Sequence, residues 1–242
     1  MNRVVIGFAG TLAIIESTKH TNYSLYRTKF VRETVKTFKR HPTLITLTGL
    51  NVLVFGLWQV PQMHSIMSKY FTCSLISKLS RPQFSHYTSW LLSTCSHQNL
   101  IHIGCNLMAF HSFAPIFLNT MDTPTFAQFF TGSAFLSSIA SMMYKSRTNN
   151  FRPSVGLSGV LMGMLSYTAL KYPHVKVNLM FIPIPFEIQS GMAAVACLDI
   201  CGVLFRWLTF DHAAHLGGAI AGFVMYQITT LQNNQKKNKY FI

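Results

Sequence analysis

Acidic residues are scarce: six Asp and Glu stand in 242 residues, against 20 Lys and Arg. Charged residues of both signs make up 11% of the chain, where a soluble domain carries about a quarter. That poverty excludes an ordinary solvated globule. Among the acids, Asp199 falls well inside an apolar segment, whereas Asp122, Glu187 and Asp211 stand at segment edges. An aspartyl mechanism needs two carboxylates sharing one site, and the second is missing. A His-Glu-x-x-His zinc motif is also missing, and a zinc site built on His212 and His215 lacks evident further ligands. No metal and no cofactor is expected. The five cysteines, Cys73, Cys95, Cys105, Cys197 and Cys201, are odd in number and include no Cys-x-x-Cys, so they describe no disulfide framework. Cys197 and Cys201 share a helix face and read as small core residues. No repeat of roughly 20 to 50 residues occurs. Nor do similarly interrupted helices recur in two halves, which disfavours a transporter.

What the chain does have is apolar sequence. Hydrophobic residues make up 50% of it, with abundant Phe and Met, which indicates an all-α polytopic membrane protein. A net charge of +14 could signal nucleic acid. The Lys and Arg, however, lie between apolar segments and in the tail, where membrane proteins keep them, and no basic stripe carries interleaved aromatics. The expected surroundings are therefore a lipid bilayer, with no nucleic acid.

Six core spans are expected, over residues 43–60, 89–117, 125–144, 154–170, 188–205 and 212–231. Pro61 ends the first. Residues 62–82 form a long semi-apolar linker suited to the interface. Ile182-Pro183-Ile184-Pro185 breaks regular helix before the fifth span. Ahead of the core, the apolar run over residues 4–15 falls short of the roughly 17 to 20 residues of a crossing. It belongs either to a short span or to a targeting signal. The chain thus divides into an N-terminal short span with a basic connection (1–41), a core domain (42–231) and a basic tail (232–242). The side holding the pre-core segment and the tail is richer in Lys and Arg, but the loop with Lys145, Arg147 and Arg152 opposes it.

Three stretches carry chemistry. Gly156-Leu157-Ser158-Gly159 puts a serine between glycines near the mouth of the fourth span. Glycine has no Cβ and admits a close backbone or a substrate. Ala214-His215-Leu216-Gly217-Gly218 opens the sixth span, and His102 and Asn106, four apart, share one helix face in the second. A serine hydroxyl becomes a good nucleophile when a histidine takes its proton. The oxyanion that follows needs donors, which Asn, His and backbone N–H groups supply. Ala214, Gly218 and Gly222 recur every four residues, a face that lets the last helix press against the one bearing Ser158. Taken singly, Ser158 and its glycines read as helix packing and His215 as a satisfied interior histidine. Counted together, they form a nucleophile, a base and an oxyanion hole.

These motifs, in this order and at this spacing, resemble the rhomboid intramembrane serine proteases. Tyr70-Phe71-Thr72, Leu92-Ser93-Thr94, Ser96-His97, Pro153-Ser154-Val155-Gly156 and the run from Asp211 to Gly218 resemble the mitochondrial, presenilin-associated branch. The likeness covers the chain from about residue 43 to the end of the last span, and extends loosely to residues 4–15, similar to that branch's extra N-terminal helix. It implies a six-helix core plus one N-terminal transmembrane helix, in the mitochondrial inner membrane. It also implies cleavage of single-span membrane proteins in or near their transmembrane segments, with roles in mitochondrial quality control and cell death. A Ser–His dyad is implied, with Ser158 as nucleophile and His215 as base. His102, Asn106 and the Ser158 N–H would hold the oxyanion, and His97 would line a water path; Gly156, Gly159, Ala214 and Gly218 would support the site. The chain departs from bacterial members in lacking the Trp-Arg pair of the first loop. Met162 also stands where many of them have a tyrosine against the histidine. Asp199 has two readings, a third catalytic member holding His215 or a buried structural group bonded to a neighbouring helix. The implied dyad favours the second, under which Asp199→Asn keeps most activity. The rival readings of the whole chain are a catalytically inactive rhomboid-like binding protein and a transporter.

Overall fold

A computed structural model describes residues 40–74, 84–177 and 185–239. The expected N-terminal span over residues 4–15 and most of the basic connection lie outside the described residues, as do Ile182, Pro183 and Ile184.

Prolines set the first corner. Pro42 sits in the first turn of α1 (Pro42–Trp58), where its absent N–H leaves no bond unmade. Pro61 opens a 3-10 turn, Pro61–Met63, that leads into α2 (His64–Tyr70), bent by 100° from α1. The Trp58 indole donates to Ser96 Oγ at 2.6 Å, and His64 Nε2 meets the Trp58 carbonyl at 2.9 Å, which locks the corner.

The second expected span is not one helix. It divides into α3 (Phe84–Leu92), a 3-10 turn at Ser93–Cys95 and α4 (Leu100–Thr120). Ser93 Oγ donates to the Trp90 carbonyl at the end of α3, and the Asn99 side chain accepts from His102 N at 2.8 Å to cap α4. Short polar side chains here offer the backbone local partners that compete with a continuous helix. His97 consequently lies in the intervening loop.

Asp122 caps α5 (Thr123–Thr148) by accepting from Thr125 N at 2.9 Å, and Asn149 closes it in the left-handed region at φ 52°. Then come α6 (Ser158–Lys171), the short antiparallel strands β1 (Lys176–Val177) and β2 (Phe186–Glu187), α7 (Ile188–Leu204) and α8 (His212–Lys239). The sixth expected span is thus helical beyond residue 231.

α6 is the central helix. Its Val160, Met164 and Tyr167 pack with Leu157, Phe110 and Phe117, all fully buried. Its back rests on α8 through glycine. A Cβ at Gly218 would lie 1.9 Å from the Gly159 carbonyl oxygen, and one at Gly222 would lie 2.1 Å from that of Gly163. The two backbones touch, as the small-residue face of α8 leads one to expect. Around this centre the polarity is inverted: Leu53, Met143, Leu198 and Phe223 face outward, while Asn51, Ser133, Ser141 and Lys145 are buried. Apolar outside and polar inside is the arrangement a bilayer demands. Among the described helices, α4 is long and apolar enough to cross unaided, and α1 with its bent continuation makes a second candidate. The others are shorter or more polar. α7 is apolar but 17 residues long. α5 carries its buried serines. α6 has 14 residues, a length of about 21 Å, and is enclosed by its neighbours.

Candidate active site

The loop that delivers Ser158 is fixed before the helix begins. Cys73 and Ser154 exchange two backbone hydrogen bonds, 2.9 and 2.8 Å long, and Gly156 N donates to the Ser93 carbonyl at 2.8 Å. Gly156 itself adopts φ 122°, a conformation that disfavours any side chain. A Cβ there would also lie 2.7 Å from the His102 ring and 3.4 Å from Asn106 Nδ2. Gly156 therefore brings α4 against the mouth of α6. Ser158 is the first residue of α6, so the backbone N–H groups at this end have no carbonyl one turn earlier in the helix.

His215 arrives from α8. Asp211 accepts from Ala214 N at 3.0 Å through Oδ1 and from His215 N at 3.1 Å through its carbonyl, which caps the helix at this residue. The other carboxylate oxygen of Asp211 pairs with Lys145 Nζ at 3.0 Å and accepts from Ser141 and Ser154. Ser154 also accepts from Lys145. The start of α8 is thereby tied to both α5 and the loop before Ser158. Ser137 Oγ adds a bond to the Ala214 carbonyl at 2.8 Å, and a Cβ at Gly159 would strike that same hydroxyl. Lys145, expected as a loop charge bearing on orientation, is instead a buried member of α5 held by this ion pair.

With both helices so placed, Ser158 Oγ and His215 Nε2 stand 3.0 Å apart. On the far side of the imidazole, Nδ1 lies 3.1 Å from Asp199 Oδ1 of α7, which also meets His212 Nδ1 at 2.7 Å. The two sequence readings of Asp199 thus meet in one geometry: it is a buried group bonded to a neighbouring helix, and what it bonds to includes His215. It also stands as a third possible ligand beside His212 and His215, for which the sequence shows no evident further ligand. Met162 is buried, and the aromatic ring against His215 belongs to Phe210, 6.3 Å away and tilted by 32°.

Asn106 Nδ2 meets His97 Nε2 at 2.8 Å, and the His97 and His102 rings pack edge to face at 4.8 Å. His97 is fully buried and stands behind Asn106. A cavity of about 680 Å³ opens over the site, lined by Ser158, His215, His102, Asn106, Trp207 and Phe210 among others. The structure therefore brings Ser158, His215, His102 and Asn106 together around one space, with Gly156, Gly159, Ala214 and Gly218 in the packing beneath. Sequence reasoning missed the Lys145–Asp211 pair. One signal was available: Asp211 stands three residues before Ala214, the spacing of a helix cap.

A helical bundle that is polar within and apolar without, with a serine and a histidine meeting from adjacent helices under an open cavity, defines a polytopic membrane protein with a candidate site in its interior. The chain belongs to the Rhomboid family, whose domain model matches residues 84–232. It is 34% identical over 198 residues to "Presenilin-associated rhomboid-like protein, mitochondrial" of Homo sapiens, covering 79% of this chain and 50% of that protein. The protein of the same name from Rattus norvegicus is 35% identical over 182 residues, 73% of this chain and 46% of its own. "Rhomboid protein 1, mitochondrial" of Saccharomyces cerevisiae is 34% identical over 193 residues, 78% and 54%. The chain spans about half the length of the curated relatives it matches. It is a multi-pass membrane protein of the mitochondrial rhomboid type.

Proposed function

We propose that this protein is an intramembrane serine endopeptidase working by attack of Ser158 on a peptide carbonyl. The observation that carries the reading is the 3.0 Å approach of His215 Nε2 to Ser158 Oγ beneath a cavity large enough for an extended peptide segment. His215 takes the hydroxyl proton as Ser158 attacks, then returns it to the leaving amine. Asp199 accepts from His215 Nδ1–H, which leaves the Nε2 lone pair facing the serine. It acts as a positioning residue, and the pair extends to a triad drawn from α6, α7 and α8.

Charge develops on the carbonyl oxygen, and the donors lie on the α4 side. His102 lines the cavity and makes no side-chain hydrogen bond among the described residues. Asn106 has two amide protons; one is directed to His97, and the other remains for substrate. The Ser158 N–H at the start of α6 is the third donor, favoured by the positive end of the helix. Substrates are single-span membrane proteins presented within the bilayer. The resemblance to the mitochondrial branch supports a place in the inner membrane and a part in quality control and cell-death signalling.

Labelling of the purified protein by a fluorophosphonate probe tests this directly. Wild type is expected to label and Ser158→Ala to stay dark. Equal labelling of the two would remove Ser158 from the mechanism.

A further inference from the structure

The acidic neighbour of His215 serves two imidazoles with one oxygen. His212 Nδ1 and His215 Nδ1 both converge on Asp199 Oδ1, at 2.7 and 3.1 Å. Asp199 Oδ2 is buried and has no hydrogen-bond partner. A carboxylate oxygen left bare in a buried site calls for a partner. The three ligand atoms of Asp199, His212 and His215 lie within 4.8 Å of one another. Around a tetrahedral zinc ion, donors at about 2.0 to 2.2 Å from the metal stand roughly 3.3 Å from each other. Two imidazoles with one carboxylate form a ligand set suited to zinc rather than to calcium or magnesium, which prefer oxygen.

The setting is also that of a built site. A Cβ at Gly202 would lie 2.3 Å from the His212 ring, so that ring is seated directly on the α7 backbone. His212 Nε2 faces Thr209 Oγ1 at 3.5 Å, an oxygen placed to orient the ring from its outer side. His212 and His215 both line the cavity, which gives an ion a route in and a water molecule a fourth position.

We propose that Asp199, His212 and His215 form a zinc-binding site whose occupation switches the protease off. Without metal, each imidazole keeps its proton on Nδ1 and donates a hydrogen bond through it to Asp199. When zinc binds both Nδ1 atoms, each proton moves through solvent to the Nε2 of its own ring, so none is released. His215 Nε2 then presents an N–H to Ser158 Oγ and can no longer take the hydroxyl proton. The two states use the same carboxylate, so the ion and the active tautomer exclude each other. The effect on turnover rests on the protease reading above; the binding does not.

Binding is read on the full-length Ser158→Ala protein with Co²⁺ as a spectroscopic stand-in. Visible absorbance of four-coordinate cobalt should saturate at one ion per chain and disappear when Zn²⁺ is added. His212→Asn keeps an amide donor for Asp199 but is a poor zinc ligand, and it should abolish the saturable signal. On wild type, micromolar Zn²⁺ should stop cleavage, EDTA should restore it, and Ca²⁺ or Mg²⁺ should do nothing. His212→Asn should raise the half-inhibitory Zn²⁺ concentration at least about tenfold. No cobalt absorbance in the Ser158→Ala protein, or equal Zn²⁺ inhibition of wild type and His212→Asn, overturns the proposal. Cobalt binding by a protein that never cleaves would keep the site and sink the protease reading instead.

Discussion

Ser158 and His215 are 57 positions apart in the chain, and the proposed activity depends on the single hydrogen bond that joins them. Ser158→Ala should fold normally and lose cleavage on the order of a millionfold, as removal of a serine-hydrolase nucleophile does elsewhere. His102→Ala should cost about 10²–10³ in kcat, the loss of one oxyanion donor, with little change in the thermal melt. Asp199 is where the geometry changes the expectation. Asp199→Asn no longer forces the proton onto Nδ1 of His215, so a loss approaching the roughly 10⁴ of an Asp→Asn change in a soluble triad is expected, in a protein that still folds. Retention of most activity would return Asp199 to a purely structural role. Ser158, His215, His102 and Asn106 were legible because glycine neighbours and helical spacing mark them. The task of Asp199 was not. Its partners lie 13 and 16 positions on, across the α7–α8 connection, and no local pattern discloses how that connection turns.

Between elements, backbone contact and one ion pair hold the register of α6 against α8. Gly218→Val would drive a side chain into the Gly159 carbonyl. Overpacking of this kind costs about 1–3 kcal/mol or more. Both a lower melting temperature and a large fall in turnover are expected, and an unchanged melt would show that the helices can part freely. Lys145→Met leaves the Asp211 carboxylate without its cation. Stranding one member of a buried pair costs about 3–5 kcal/mol, so this variant should unfold measurably earlier than wild type in a thermal scan. Pro61 marked the end of α1 in the chain itself. The break between α3 and α4 was hidden by the apolar residues on both sides of it, which averaged over the polar turn from Ser96 to Asn99. The burial of Lys145 was hidden for another reason: its partner Asp211 is 66 positions away, and near a helix end a lysine ordinarily reaches water.

At the scale of the molecule, the membrane character came from composition. Its pattern was only half readable, because helices that bury polar faces against one another look less hydrophobic than the lipid around them requires. The N-terminal span expected from the sequence gives a topological prediction. Six core spans return the chain to the side on which it entered, so a seventh over residues 4–15 should place tags at residues 1 and 242 on opposite faces. Protease protection of both tags in sealed mitoplasts reads this directly, and digestion of both from one side would leave six spans. The glycine seam bears on descent as well as on mechanics. Where backbone rests on backbone, no neighbouring side chain can shrink to absorb an insult. A lineage can therefore lose the proposed activity while its serine and histidine codons stay intact, through one bulky replacement at Gly218 or Gly222. Inherited variants of unknown effect at these two glycines belong with those at the proposed catalytic pair when harm is being ranked.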